Sequence, residues 1–360
     1  GLYDTRDSIV TLKRDFARVL CEDIYAWWFD QHAEGGRYRH EAIYRLFARQ
    51  KEIAEFSYGL NRVKNNEIAL IYDQESCHAV SAYTNMMMLD YYRTSDLHRI
   101  GAPVDYYFHN DLEREDMPDY KLYIMMNLFR LTDAEREAVL QKARKNGAVV
   151  LWLYAPGFLN PDAEHIMDNA NIENLIGMHV GRIDRTCSPR FKITDLGHPA
   201  VRYAVEDRRY GYIDRDVHSN VWLENVLAPP YMNPGFYIDD PRVQVLGAYC
   251  EMGLAAYGIR EMDGWTSAYC APQILRSELI ASLAEYAGCH LYNTQDDVIY
   301  ANANFVTIHA SYKGKHTIRF PKPCSPYEVY EKRYYGHNVT EIMVDMRLGD
   351  TLMFSLKGTC

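Results

Sequence analysis

The sequence predicts an α/β protein in which a parallel-sheet domain is followed by a small antiparallel β domain. Three observations carry this. Between residues 68 and 153, short apolar runs alternate with helix-length segments, the rhythm of a parallel sheet covered on both faces. From residue 298 onward the apolar period drops to two, with turn residues between the runs. Before residue 58 stand only a helix, an apolar run and a second helix, too little to close a sheet.

In chain order, Asp4 or Thr5 can cap a first helix that carries Ile9, Leu12, Phe16 and Leu20 on one face. Residues 24–29 (Ile-Tyr-Ala-Trp-Trp-Phe) are continuously apolar and end at Asp30, the pattern of a strand buried on both faces. Gly35-Gly36 breaks the chain, and residues 41–56 form a second helix. After the polar connector 64–66 come a strand at 68–72, a long helix over 79–97, a strand at 104–108, an acidic loop at 111–119 and a strand at 122–126. Thr132 caps a helix to Lys145, which stops at Asn146-Gly147, and residues 148–153 form a further strand. Prolines punctuate 177–241, where short alternating stretches indicate an inserted β region near 180–241. A strand at 243–249 and a helix over 271–287 follow, while Gly253 to Gly258 reads as a loop. The runs at 305–309, 317–320, 342–344 and 352–354 make the antiparallel domain. The expected division is 1–60, 61–296 and 297–360.

Composition narrows the function classes. The formal net charge of −10 would repel a phosphate backbone, which argues against nucleic acid as a partner. Apolar runs are strand-sized, well below the ~20 residues of a membrane helix, so no membrane partner is expected. The eight cysteines form no C-x-x-C pair and read as scattered reduced thiols. The chain begins at Gly1 without a signal-peptide pattern, which suggests a natural start further upstream.

The common chemical motifs are missing. There is no P-loop, dinucleotide glycine fingerprint, H-E-x-x-H or G-x-S-x-G, so no cofactor, metal ligand or catalytic residue is assigned. Thirteen histidines form no i, i+4 pair and no Cys/His cluster. The sheet over 61–296 suggests a class I glutamine amidotransferase-like (flavodoxin-like) fold, whose chemistry needs a cysteine on a strained strand-to-helix turn. After the 122–126 strand stand Asn127-Leu128-Phe129-Arg130 instead. Cys77 and His78 follow the first strand and could serve a self-sufficient hydrolase of that type, but read more simply as a loop opening the next helix. Asp30 follows the Trp27-Trp28-Phe29 run, and indole rings with a carboxylate suit a sugar; the plainer reading is packing by the tryptophans and a cap by Asp30.

In order of parts the chain resembles the C-terminal portion of a glycoside hydrolase family 42 type β-galactosidase. The segments Asp4-Thr5-Arg6, Trp27-Trp28-Phe29-Asp30 and Gly35-Gly36-Arg37-Tyr38 are similar to the last units of that family's (β/α)8 barrel. The nucleophile-free sheet resembles its trimerisation domain, and 305–356, with His309-Ala310 and Thr317 to Pro321, its small β domain. The resemblance implies a non-catalytic portion of a bacterial glycosidase, with both catalytic glutamates on barrel strands before residue 4; it favours the cytoplasm, while the sequence itself does not give the compartment. It further implies that Trp28, Asp30 and, less directly, Trp27 line the sugar site, and that the chain is a homo-oligomer, trimer or dimer. Thirty tyrosines leave a carbohydrate-binding protein as a rival. Residues 1–58 should not fold alone, and must dock on a following domain or on barrel strands.

Overall fold

A computed structural model describes residues 4–28, 38–61, 63–81, 88–89, 92, 96–145, 147–212 and 231–359. The chain divides into two compact units, residues 1–66, 98–103 and 291–360 in one, 67–97 and 104–290 in the other. The first unit opens with α1 (Thr5–Glu22). The Asp4 carboxylate accepts from the Asp7 amide at 2.8 Å, and Asp23 ends the helix in the left-handed region at φ 56°. Residues 24–28 then form no strand, contrary to the sequence expectation: Tyr25 is 96% and Trp27 75% exposed. A run apolar on both faces becomes a strand only when neighbouring strands accept its hydrogen bonds, and none does so here among the described residues. Helix α2 (Glu41–Tyr58) follows, its first turn capped by His40 Nδ1, which accepts from the Ala42 amide at 3.2 Å.

The second unit is built on a ten-stranded sheet. Strands β1 (Ile68–Tyr72), β2 (Val104–Phe108), β3 (Leu122–Met125) and β4 (Val149–Leu153) pair in parallel in the order β2-β1-β3-β4. Strands β1, β3 and β4 are almost wholly buried, as unbroken runs such as Val-Val-Leu-Trp-Leu require. Where a helix was expected over 79–97, 3₁₀ turns stand just before it at 75–78 and across its end at 96–99, and Met88, Leu89 and Tyr92 are helical. Helix α3 (Asp133–Lys145) begins with a reciprocal cap, in which Thr132 Oγ1 accepts from the Glu135 amide at 3.3 Å and the Glu135 carboxylate from the Thr132 amide at 2.7 Å. Helix α4 (Asn169–Ile176) leads to β5 (Val180–Ile183), β6 (Phe191–Ile193), β7 (Gly235–Ile238) and β8 (Gln244–Tyr249).

Of the 253–258 segment expected as a loop, Gly253 and Leu254 lie outside regular structure and residues 255–258 are strand. Strand β9 (Ala255–Met262) turns at Asp263-Gly264 into β10 (Trp265–Cys270), which is antiparallel to β9 and parallel to β4. Strands β5 to β9 therefore extend the parallel sheet as an antiparallel wing, and helix α5 (Ser277–Tyr286) closes the unit. Within the expected insertion, Met232 and Phe236 are buried in the unit's own core and Tyr231 is exposed; Trp222 and Leu223 lie outside the described residues.

The first unit ends in a five-stranded sheet of β11 (Val298–Ala301), β12 (Phe305–His309), β17 (Thr351–Ser355), β14 (Tyr327–Glu328) and β15 (Arg333–Tyr334), in that order. A ribbon of β13 (Gly314–Cys324) and β16 (Val339–Met346) covers one face, packing Ile318, Ile342 and Val344 on Val306, Ile308 and Phe354. The other face presents Tyr300, Phe305, Val329 and Met353 to Ala17 and Cys21 of α1 and Ile53 of α2. Alternation along β12 and β17 thus feeds two cores from one sheet. Residues 1–60 and 297–360, expected as separate segments, share a compact unit because the apolar stripes of α1 and α2 find this surface.

Candidate functional site

In the order β2-β1-β3-β4 the connections reverse direction at β1, so the crevice beyond the carboxyl ends of β1 and β3 is the place where such sheets bind ligands. Here the chain fills that crevice with its own side chains. Asp73, the first residue after β1, is completely buried and its carboxylate accepts from the amides of Glu75 (3.1 Å) and Ser76 (2.7 Å). From the end of β3, Asn127 bridges across: its Oδ1 accepts from the Asp73 amide and its Nδ2 donates to the Asp73 carbonyl, both at 2.8 Å. Ser76 Oγ accepts from the Arg130 amide at 2.9 Å. Cys77 Sγ lies 2.9 Å from the Tyr72 hydroxyl, and burial with that contact pushes the Tyr72 hydroxyl up to about 12.

His109, the first residue after β2, lies between two acids. Its Nδ1 is 2.7 Å from Asp73 Oδ1 and its Nε2 is 3.1 Å from Glu135 Oε1. With a carboxylate on each nitrogen the ring donates twice, the pattern of an imidazolium. Burial alone would lower the His109 pKa, but the hydrogen bonds and charges of Asp73 and Glu135 outweigh it and raise it above the ordinary value. Reciprocally, burial works to raise both carboxyls. Bonds from His109 and Ser76 hold Asp73 below the usual range, and bonds from Thr132 and His109 do so for Glu135. This acid–imidazolium–acid chain ties the loops after β1 and β2 to the first turn of α3. Each member immediately follows a strand or opens a helix, and that position was the one local signal the sequence offered for it.

The strained strand end is elsewhere. Tyr154, directly after β4, has φ 63°, a left-handed conformation unusual for an aromatic residue and the kind of turn that presents a nucleophile in hydrolases. The side chain there is a phenol fixed by packing: its hydroxyl donates to the Pro234 carbonyl at 2.7 Å, and burial raises its pKa well above the ordinary value. Both turns at which a nucleophile could stand therefore carry Asn127 and Tyr154.

Of the residues singled out from sequence, Trp28 stacks on Phe47 (centroids 5.1 Å, planes at 18°) with Tyr38 edge-on at 6.2 Å, against Leu12, Ile43 and Leu46. Trp27 is exposed, and Asp30 lies outside the described residues. Cys77 is half-buried and His78 exposed in one 3₁₀ turn; the imidazole that joins the network is His109. Among the described residues no group of three His, Cys, Asp or Glu is placed to hold a metal ion, and no helix is long and apolar enough to cross a membrane.

No protein-family model matches the chain, and no curated protein matches it. Solved structures do. The β-galactosidase from Bacillus circulans sp. alkalophilus superposes with a TM-score of 0.59 at 13% identity, over 89% of this chain and 46% of its own. A catalytic mutant of Gan42B, a GH42 β-galactosidase from G. stearothermophilus, gives 0.55 at 14%, over 90% and 45%. The β-galactosidase from the haloarchaeon Halorubrum lacusprofundi gives 0.55 at 13%, over 88% and 43%. The chain spans less than half the length of these proteins, and at such identities the likeness is one of fold. Its mixed α/β architecture is that of roughly half of a β-galactosidase of this type.

Proposed function

We propose that this chain is a non-catalytic portion of a glycoside hydrolase of the β-galactosidase type, serving subunit assembly and completing the sugar site. The observation that carries the reading is the filled switch-point crevice: Asp73, Ser76 and Asn127 are each at most 1% exposed and bonded to one another's loops. A parallel sheet that keeps its framework while side chains bridge the crevice between β1 and β3 has lost the ligand site usual at that position, which favours interaction as its use. The fold likeness to β-galactosidases supplies the class. In this reading Trp28 and Asp30, with the exposed Trp27, belong to the sugar wall, and the expected assembly is a trimer or dimer of the chain.

Light scattering of the chain at micromolar concentration, run beside an assay on an aryl β-galactoside, tests both halves. The expected result is a dimer or trimer without turnover. A monomeric mass would sink the assembly role, and turnover abolished by Cys77→Ala would replace the reading with a self-sufficient hydrolase.

A further inference from the structure

A cavity of about 260 Å³ opens at the carboxyl ends of β3 and β4, in the second unit. Its walls include Phe129, Tyr154, Phe158 and Phe236. These rings interlock edge to face, Phe129 on Tyr154 at 5.8 Å, Tyr154 on Phe236 at 5.5 Å and Phe158 on Phe236 at 5.4 Å. Tyr154 is pinned three ways: its amide donates to the Cys270 carbonyl at 2.9 Å, its carbonyl accepts from the Tyr269 hydroxyl at 2.5 Å, and its own hydroxyl donates to Pro234. The wall is thus set before any ligand arrives, which reduces the ordering cost of binding.

The lining decides the ligand. Among the described residues that form it none is charged, and its polar side chains, the Tyr154 phenol apart, are Ser81 and Asn233. An anion or cation would lose its hydration without a partner, and a sugar would leave most of its hydroxyls unsatisfied. An apolar cavity of about 150 Å³ already accepts benzene. We propose that this cavity binds a neutral aromatic molecule of one or two rings, held edge-on by Phe129, Tyr154 and Phe236. The proposal is independent of the glycosidase reading.

Indole is the probe, titrated into the full chain by calorimetry. The expected result is saturable one-to-one binding with a dissociation constant below about 1 mM. It should weaken by about tenfold or more when Leu159→Trp fills the space with a ring of the ligand's own size. Met167→Trp, at a position 62% exposed on the rim, carries the same test should Leu159→Trp fail to fold. Absence of binding up to several times about 1 mM, or unchanged binding in a folded filled variant, overturns the proposal. Displacement of indole by galactose overturns the assignment to a neutral aromatic.

Discussion

Two regions use a histidine to join elements, one ring buried and the other half-buried, and their pKa values move in opposite directions. In the parallel sheet, His109 sits between Asp73 and Glu135, whose hydrogen bonds and charges raise its pKa against the effect of burial. In the C-terminal sheet, His309 Nδ1 donates to Thr351 Oγ1 at 2.8 Å, and Thr351 Oγ1 donates in turn to the Val10 carbonyl of α1 at 2.8 Å. The single hydroxyl proton is spent on Val10, so the ring supplies the proton to Thr351 from Nδ1. Burial, with the Arg14 charge behind it, pushes His309 down to about 4. Burial acts on both rings in the same direction. What differs is the partner: two carboxylates outweigh desolvation, and a hydroxyl does not.

The largest break in that comparison should come from Asp73→Ala. It leaves a buried imidazolium short of one acid and frees the Glu75 and Ser76 amides, so equilibrium urea unfolding should show a loss of about 3–5 kcal/mol. A loss under about 1 kcal/mol would mean the acids do not hold His109 charged. Next come the pH profiles. A raised folded pKa means that the His109 contribution is complete below the unfolded value of about 6.5 and is lost as pH rises through the folded pKa. A depressed folded pKa means that His309 contributes fully above about 6.5 and loses this as pH falls toward about 4. His109→Gln should therefore flatten the alkaline side of the stability profile and His309→Gln the acid side. The same slope change from both variants would erase the distinction. Asn127→Ala removes both bridges to the Asp73 backbone and should cost about 1–3 kcal/mol. Thr351→Val, which breaks only neutral hydrogen bonds, should cost about 1 kcal/mol; an effect as large as that of Asp73→Ala would show that charge is not what separates the two sites.

Much of the fold could be read from sequence because β1, β3 and β4 are each a run long enough and apolar enough to be a buried strand. The reciprocal cap at Thr132 and Glu135 likewise announces α3 locally. The hairpin at Asp263-Gly264 carries an ordinary Asp-Gly turn signal, but the two glycines at 253 and 258 drew the reading toward a loop. Residues 24–28 failed for the reverse reason: a strand's pattern is local, but its existence depends on a sheet edge elsewhere. The network of Asp73, His109, Asn127 and Glu135 has no local spacing at all. Three strand ends and the first turn of α3 bring it together, so only knowing the strand order β2-β1-β3-β4 places those residues side by side.

Strand β10 gives the parallel sheet its completion and comes late. Its partner β4 ends at Leu153, yet the pairing of Val149 with Thr266 through Leu153 with Cys270 waits until the whole antiparallel wing has been made. During synthesis, then, β4 stands as an unprotected edge of Val-Val-Leu-Trp-Leu while the intervening segments emerge. A nascent chain stalled anywhere in that interval offers an apolar template to its neighbours on the polysome. Chaperone demand during production, and any inclusion-body tendency, should be governed by this stretch of translation more than by the final stability of the molecule.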